Sequence, residues 1–121
     1  MLSLNEIYTG DCLELMKRID DDSVDLVLTD PPYGITACKW DVVPDLEKLW
    51  IELKRIGKDN CAYIFMASQP FTTDLINSNR TWFKCEWIWE KNYAVNFIEN
   101  TAENPLIHLG DECRFFFCFN W

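Results

Sequence analysis

The sequence predicts an α/β protein with a three-layer sheet, and three features indicate this fold. Apolar runs of strand length alternate along the chain with stretches whose apolar residues recur at helical spacing. Glycine, proline and aspartate residues stand at the boundaries between these segments. In a chain of 121 residues, 49% are hydrophobic and 15% aromatic, which is enough for the core of one small domain.

The N-terminal part has the pattern of a strand, a helix and a second strand. Residues 6–9 form a short strand candidate, and residues 24–29 form a longer and more apolar one. Between them, apolar residues from 13 to 19 recur near helical spacing. Asp11 and Glu14 resemble a capping box at the start of that helix. This order predicts two parallel strands joined by a helical crossover.

The rest of the chain continues the alternation. Pro44 suits the first turn of a helix whose apolar residues extend to Ile56, and Gly57 suits its end. In the strand predicted near residues 82–91, Phe83, Cys85, Trp87 and Trp89 fall on one face, and the two tryptophans are interpreted as core residues. The other predictions are a strand at 61–67, a helix from Pro70 to Ile76, an irregular segment at 92–105 and a last strand at 114–121.

Charge and cysteine content restrict the function classes. The formal net charge of −9 disfavours DNA binding by this chain unaided, because DNA affinity depends on neutralising phosphates. The six cysteines form no Cys-x-x-Cys pair, and the single His108 completes no zinc pattern, so no metal site is expected. Without a signal peptide or a long apolar N-terminal stretch, the cysteines are interpreted as buried, reduced thiols in a cytoplasmic protein with no membrane contact.

The sequence Thr29-Asp30-Pro31-Pro32-Tyr33-Gly34 follows the second strand candidate and carries the clearest chemistry. Two successive prolines stop the strand and fix the backbone. In open α/β sheets, ligands bind at the carboxyl ends of strands. A flat substrate with an exocyclic amino group would stack on Tyr33 and donate hydrogen bonds to Asp30 and to the carbonyl of Pro31. An ordinary strand-to-loop turn is the alternative interpretation.

Three blocks of sequence resemble one known family. The segment IYTGDCLELMKRIDDDSVDLVLTDPPYG, from Ile7 to Gly34, is similar to the opening of permuted (beta-class) bacterial and phage adenine-specific DNA methyltransferases with the Asp-Pro-Pro-Tyr motif. The segments Ile64–Phe71 and Glu86–Asn92 resemble the next two blocks in the family's order. The resemblance implies a partial Rossmann-like three-layer sheet of the S-adenosylmethionine-dependent type. It also implies methyl transfer to N6 of adenine in double-stranded DNA, with the target base flipped out of the helix.

The resemblance implies roles for individual residues. Asp30, Pro31, Pro32 and Tyr33 are the expected catalytic residues. Asp11 and Asp30 are expected to bind the cofactor, although Asp11 also suits a helix cap. Tyr33 is expected to stack on the target base, and Lys91 and Asn92 to face the base or the DNA. For Lys91 and Asn92, solvent exposure at a strand end is the simpler alternative.

The cofactor-binding part of the family domain is not recognised in residues 1–121. In the permuted family a glycine loop follows the catalytic turn, whereas the four glycines here are isolated. We therefore expect this chain to be the N-terminal catalytic part of a methylase domain, inactive alone and prone to self-association through an unfinished sheet. The alternatives are an inactive remnant or interaction module of the same fold, and methylation of N4 of cytosine or of RNA bases. A restriction-modification or phage role is open.

Overall fold

The computed structural model describes residues 2–90 and 113–119, apart from the side chains of Glu90 and residues 113–117. The described part contains three helices and four strands. In chain order these are α1 (Cys12–Met16), β1 (Val24–Thr29), α2 (Leu46–Ile56), β2 (Gly57–Ala67), α3 (Phe71–Ser78), β3 (Phe83–Glu90) and β4 (Cys113–Phe119).

The strands form one mixed sheet in the order β1-β2-β4-β3. β1 and β2 are parallel and are joined through α2, with Leu28 beside Ile64 and Thr29 beside Phe65. β4, the last strand in the chain, lies antiparallel between β2 and β3. The α/β class predicted from the alternating segments is therefore confirmed.

The strand expected at residues 6–9 is wrong, because this segment belongs to no strand of the described sheet. Its apolar residues remain outside the core: Ile7 is 96% exposed and Tyr8 is 38% exposed. The parallel pair with a helical crossover does exist, but β1 and β2 form it rather than residues 6–9 and β1. The helix after residue 11 is shorter than predicted and ends at Met16.

One face of the sheet, here called the helix face, carries Cys61, Tyr63, Phe65 and Ala67 of β2, each at most 1% exposed. Residues from all three helices join them in a single core. The apolar stripe of α2 packs here as predicted, and Trp50 contacts the rings of Tyr63, Phe65, Trp82 and Phe119. The core residues contributed by the helices are Met16, Leu49, Trp50, Leu53, Ile56, Phe71 and Leu75.

Arg55 connects α2 with the segment that follows α1. Its guanidinium donates to the backbone carbonyls of Met16 at 2.7 Å and Ile19 at 2.9 Å. It also pairs with Glu52 at 2.8 Å and with Asp21. The acidic turn at residues 20–22 is thus tied to a helix by an ion pair.

The opposite face, here called the back face, carries Leu26, Leu28, Ile64, Met66 and Trp87. Leu26 and Leu28 are 54% and 63% exposed. Trp87 and Trp89 are about half exposed, so their interpretation as core residues is wrong. β3 is irregular between Phe83 and Cys85, so these two residues pair with consecutive residues of β4, Phe119 and Cys118. Because consecutive strand residues point to opposite faces, Phe83 and Cys85 do not share one face as predicted. Phe83 therefore packs against the helix-face core, away from the face of Cys85.

The described cysteines are free thiols. Cys61 and Cys118 are buried as expected, but Cys12 and Cys38 are exposed, which corrects the expectation that the thiols are buried. Burial raises the pKa of the Cys61 and Cys118 thiols. Among the residues that the structure describes, no helix has the length and apolarity needed to cross a membrane.

Candidate active site

The Asp30–Tyr33 turn lies at the carboxyl end of β1, as the sequence predicts. β1 ends at Thr29, which is in register with Phe65 near the end of β2. Parallel β1 and β2 thus end at the same edge of the sheet. Asp30 is exposed there, while Pro31, Pro32 and Tyr33 are partly buried.

Tyr33 contacts both the motif carboxylate and the helix layer. Its hydroxyl donates a hydrogen bond to Oδ1 of Asp30. Its ring stacks on Phe71, the first residue of α3, with ring centroids 5.4 Å apart and planes inclined by 16°. The motif and the start of α3 are therefore in contact, although Tyr33 and Phe71 are far apart in the sequence.

Asp11 caps α1, as its alternative interpretation predicted. Its Oδ1 accepts hydrogen bonds from the backbone N–H of Leu13 at 2.8 Å and of Glu14 at 3.3 Å. The Glu14 side chain binds Lys17 at 2.7 Å. Capping and ligand binding are compatible, because Asp11 also faces a cavity.

Asp11 and Asp30 line the same cavity, which has a volume of about 690 Å³. A volume of this size lies within the range of small-molecule and cofactor sites, about 300–1,000 Å³. Most of the wall is apolar, while the carboxylates of Asp11, Asp30 and Asp45 make it acidic. The other lining residues are Gly10, Cys12, Leu13, Met16, Val27, Thr29, Pro31, Pro32, Lys39, Trp40, Val42, Val43, Pro44, Leu49, Leu53 and Phe65.

The segment from Gly34 to Val43, predicted only as a loop, supplies one wall of this cavity. Trp40 is 72% exposed at this wall, and Val42 is 68% exposed. Between them, Asp41 is only 8% exposed. Its carboxylate accepts hydrogen bonds from the backbone N–H groups of Gly34, Ile35 and Thr36 at 2.7–2.9 Å and from the Thr36 hydroxyl at 2.7 Å.

These hydrogen bonds favour the charged form of Asp41. The Thr36 hydroxyl and the Gly34 N–H contribute most, and together with the remaining donors they lower the pKa of Asp41 from 3.8 to about 2. The carboxylate is therefore ionised at neutral pH. Sequence reasoning missed this role because three of the four donors are backbone groups, which no residue type identifies.

Two predicted site residues, Lys91 and Asn92, lie outside the described residues, as does His108. The structure brings the other predicted residues together at one edge of the sheet: Asp11, Asp30, Pro31 and Pro32 line the cavity. Tyr33 adjoins them through Asp30 while its ring faces Phe71.

Comparison with known proteins relates this chain to methyltransferases. No protein-family model matches it. It is 30% identical over 84 residues to the Type II methyltransferase M1.MboII of Moraxella bovis, covering 63% of this chain and 32% of the relative. It is 51% identical over 41 residues to M.BglII of Bacillus subtilis, also a Type II methyltransferase, covering 34% of this chain and 11% of the relative.

Solved structures show the same fold. The PvuII DNA methyltransferase, described as cytosine-N4-specific, superposes with a TM-score of 0.65 at 13% identity, over 93% of this chain and 48% of that protein. M1.HpyAVI in complex with SAM superposes with a TM-score of 0.57 at 19% identity, over 93% of this chain and 51% of that protein. The chain thus spans about half of these structures and a third or less of the two curated relatives.

The structure adds the place of the Asp-Pro-Pro-Tyr turn in this chain. It stands at the end of a parallel strand and beside a cofactor-sized cavity. The chain therefore has the fold of the S-adenosylmethionine-dependent methyltransferases, and its sequence is related to the Type II DNA methyltransferases.

Proposed function

We propose that this chain is the catalytic part of a DNA methyltransferase that transfers a methyl group from S-adenosylmethionine to N6 of adenine. The observation that carries the proposal is the convergence of Asp11 and Asp30 on one cavity. Asp30 also begins the motif that joins β1 to the cavity wall. The Type II relatives support DNA as the substrate.

The cavity fits S-adenosylmethionine in size and in charge. The cofactor carries a positive sulfonium, a positive ammonium and a negative carboxylate group, so its net charge is positive. The carboxylates of Asp11, Asp30 and Asp45 outnumber the ammonium of Lys39 among the lining residues and favour that charge. The apolar part of the wall that is open to a ligand, which includes the exposed Trp40 and Val42, suits the flat adenine. Asp11 would hold the adenosine part, as the family resemblance implies. When bound, the cofactor supplies an electrophilic methyl group on sulfur.

Asp30 would act on the target amino group. The nitrogen of an exocyclic amine is a weak nucleophile, because its lone pair is delocalised into the base. Hydrogen bonds from this amine to the Asp30 carboxylate and the Pro31 carbonyl would localise the lone pair and orient it. The rigid Pro31-Pro32 backbone keeps these acceptors in place, so positioning is the main catalytic effect.

Tyr33 would have two functions in this site. Its hydroxyl orients the Asp30 carboxylate through the hydrogen bond to Oδ1. Its ring would stack on the flipped target base, a contact worth about 1–3 kcal/mol in nucleic-acid complexes. Phe71 already stacks on this ring. A base would therefore extend the existing stack, or Tyr33 would turn away from Phe71.

Other parts of the complete enzyme would supply DNA affinity and the remaining cofactor contacts. The net charge of −9 gives this chain little attraction for phosphates. Lys91 and Asn92 are proposed to face the base or the DNA. We propose that the enzyme acts in the cytoplasm, either in a restriction-modification system or as a phage methyltransferase.

Cofactor binding is tested by titrating the ¹⁵N-labelled chain with S-adenosylmethionine and recording amide chemical shifts. We expect weak binding, with shifts confined to residues near Asp11 and Asp30. Asp11→Ala should weaken it further, while Asp25→Asn, which changes an exposed aspartate paired with Lys58, should not. If millimolar cofactor shifts no amide signal of the cavity residues, the proposed cofactor site is wrong. If the cofactor binds with micromolar affinity, the proposal that the site is incomplete in this chain is wrong.

Methyl transfer is tested with labelled cofactor and DNA. The isolated chain is expected to transfer no label. Transfer that disappears in Asp30→Ala would contradict the proposed incompleteness and confirm the role of Asp30. Mass spectrometry of the nucleosides then separates N6-methyladenine from N4-methylcytosine.

Three alternative functions each have a specific observation in their favour. The similarity to the cytosine-N4-specific PvuII enzyme favours cytosine as a second candidate base. A tRNA (guanine(10)-N2)-dimethyltransferase of Methanocaldococcus jannaschii, 31% identical over 62 residues, favours RNA bases. The exposed back face and the acidic charge favour an inactive interaction module that self-associates.

A further inference from the structure

The loop from Gly34 to Val43 is closed by a single side chain, Asp41. Four hydrogen bonds reach its carboxylate from three successive residues, Gly34, Ile35 and Thr36. Both oxygens take part: Oδ1 accepts from Gly34, and Oδ2 accepts from Ile35 and Thr36. A buried carboxylate with this many donors holds the backbone in one conformation, since releasing it would leave several polar groups without their partners.

The residues on either side of Asp41 have the opposite environment. Trp40 and Val42 are largely exposed and line the cavity, whereas Asp41 is buried within the loop. The carboxylate therefore organises the loop from inside, while its sequence neighbours form the surface that a ligand would meet.

The first of the residues that donate to Asp41 is Gly34, which directly follows the Asp-Pro-Pro-Tyr motif. Gly34 has a φ of +71°, a conformation that favours glycine. A Cβ atom at this position would lie 3.0 Å from Cγ2 of Val43, so the two ends of the loop are closely packed. The direction in which the chain leaves Tyr33 is thus set by the hydrogen bond from Gly34 to Asp41 and by the contact with Val43.

We propose that Asp41 is a positioning residue for the catalytic turn, acting through Gly34 on Tyr33 and through the loop on the cavity wall. The importance of this role for catalysis rests on the proposed function. Asp41 itself lines no part of the cavity that the described residues enclose, so its effect on Asp30 and Tyr33 is indirect. It differs from an ordinary loop-closing residue in one measurable respect: disturbing it must move Tyr33.

The test compares Asp41→Asn with Asp25→Asn in the isotope-labelled chain by NMR. Asparagine has the same shape, but its Nδ2 cannot accept the hydrogen bonds made to one carboxylate oxygen. We expect Asp41→Asn to accelerate amide hydrogen exchange at residues 34–36 by about tenfold or more, while exchange within α2 stays unchanged. The Tyr33 ring signals should also shift, because their environment beside Phe71 changes. Asp25→Asn should produce neither effect.

Thr36→Val provides a milder variant if Asp41→Asn does not fold. It removes the hydroxyl donor and keeps the three backbone donors. The same changes should then occur at smaller amplitude. If the signals of the loop amides change in a folded variant while those of Tyr33 and Asp30 remain as in the unaltered chain, Asp41 orders only its own loop and the proposal is wrong.

These measurements require neither cofactor nor methyl transfer. A chain that fails to bind S-adenosylmethionine would contradict the proposed function but leave the link from Asp41 to Tyr33 open to confirmation. Unmoved Tyr33 signals in a chain that does bind the cofactor would contradict only the positioning role.

Discussion

The two faces of the sheet are both apolar, but they differ in what covers them. On the helix face, Tyr63 and Phe65 are buried under α2. On the back face, Leu26 and Leu28 remain more than half exposed. The comparison shows that apolar composition alone does not make a core residue: in the described part of the chain the three helices pack against one face, and the largest fully buried side chains lie there.

The largest loss of stability is expected from Phe65→Ala on the helix face. Phe65 is fully buried between Trp50 and Phe119, with ring centroids at 5.3 and 5.6 Å. Its truncation should leave a cavity and lower the free energy of unfolding by about 3–5 kcal/mol, as measured by urea denaturation. The matched back-face variant Leu28→Ala should cost less than about 1 kcal/mol. Equal losses at the two positions would mean that both faces are packed.

A second, smaller effect is expected from Gly57→Ala at the start of β2. The added Cβ would lie 2.0 Å from the hydroxyl oxygen of Tyr63, which donates to the Leu53 carbonyl at 3.1 Å. Overpacking of this kind should lower the free energy of unfolding by about 1–3 kcal/mol. Thermal unfolding of Gly57→Ala in a Tyr63→Phe background should show a smaller loss than in the unaltered chain. An undiminished loss would show that the hydroxyl is not the obstacle.

Leu28→Ser on the back face is expected to have the smallest effect on the free energy of unfolding but to reduce self-association. Because the side chain is 63% exposed, the free energy of unfolding should change by about 0.5 kcal/mol or less. If the back face drives the proposed self-association, sedimentation velocity should show less oligomer at the same concentration. Thr73→Ala, an exposed change on α3, serves as the control. Oligomer that persists in Leu28→Ser together with Leu26→Ser would exclude this face.

Local patterns were sufficient to predict most elements of the fold. The stripe of α2 is visible in the sequence because burial on one side repeats at helical spacing, and β1 and β2 are visible as short, nearly continuous apolar runs. The order of strands is not visible in this way. β4 enters between β2 and β3, and this pairing depends on contacts between residues far apart in the chain.

The wrong predictions have the same physical cause, since they too depend on contacts between parts of the chain that are far apart in sequence. Residues 6–9 resemble a strand but have no partner in the described sheet, and a strand is defined by its partner. Trp87 and Trp89 alternate correctly but lie on a face that the described helices do not bury. At the cavity, the motif and the family resemblance predict Asp30 and Asp11 as site residues, and both line it. The hydrogen bonds to Asp41 come mainly from backbone donors that only the folded loop brings together.

The junction between α2 and β2 contains no linking residue, since the helix ends at Ile56 and the strand begins at Gly57. From Gly57 to Ala62, however, β2 advances by five residues while β1 advances by two, from Val24 to Leu26, so the regular register begins only at Ala62. We expect this irregular stretch to absorb one inserted residue, whereas an insertion after Ala62 would turn Tyr63 and Phe65 outward, because side chains in the regular strand alternate with a period of two. The start of β2 should therefore tolerate a change in length better than the regular strand that follows it, although Gly57 itself has no room for a larger side chain.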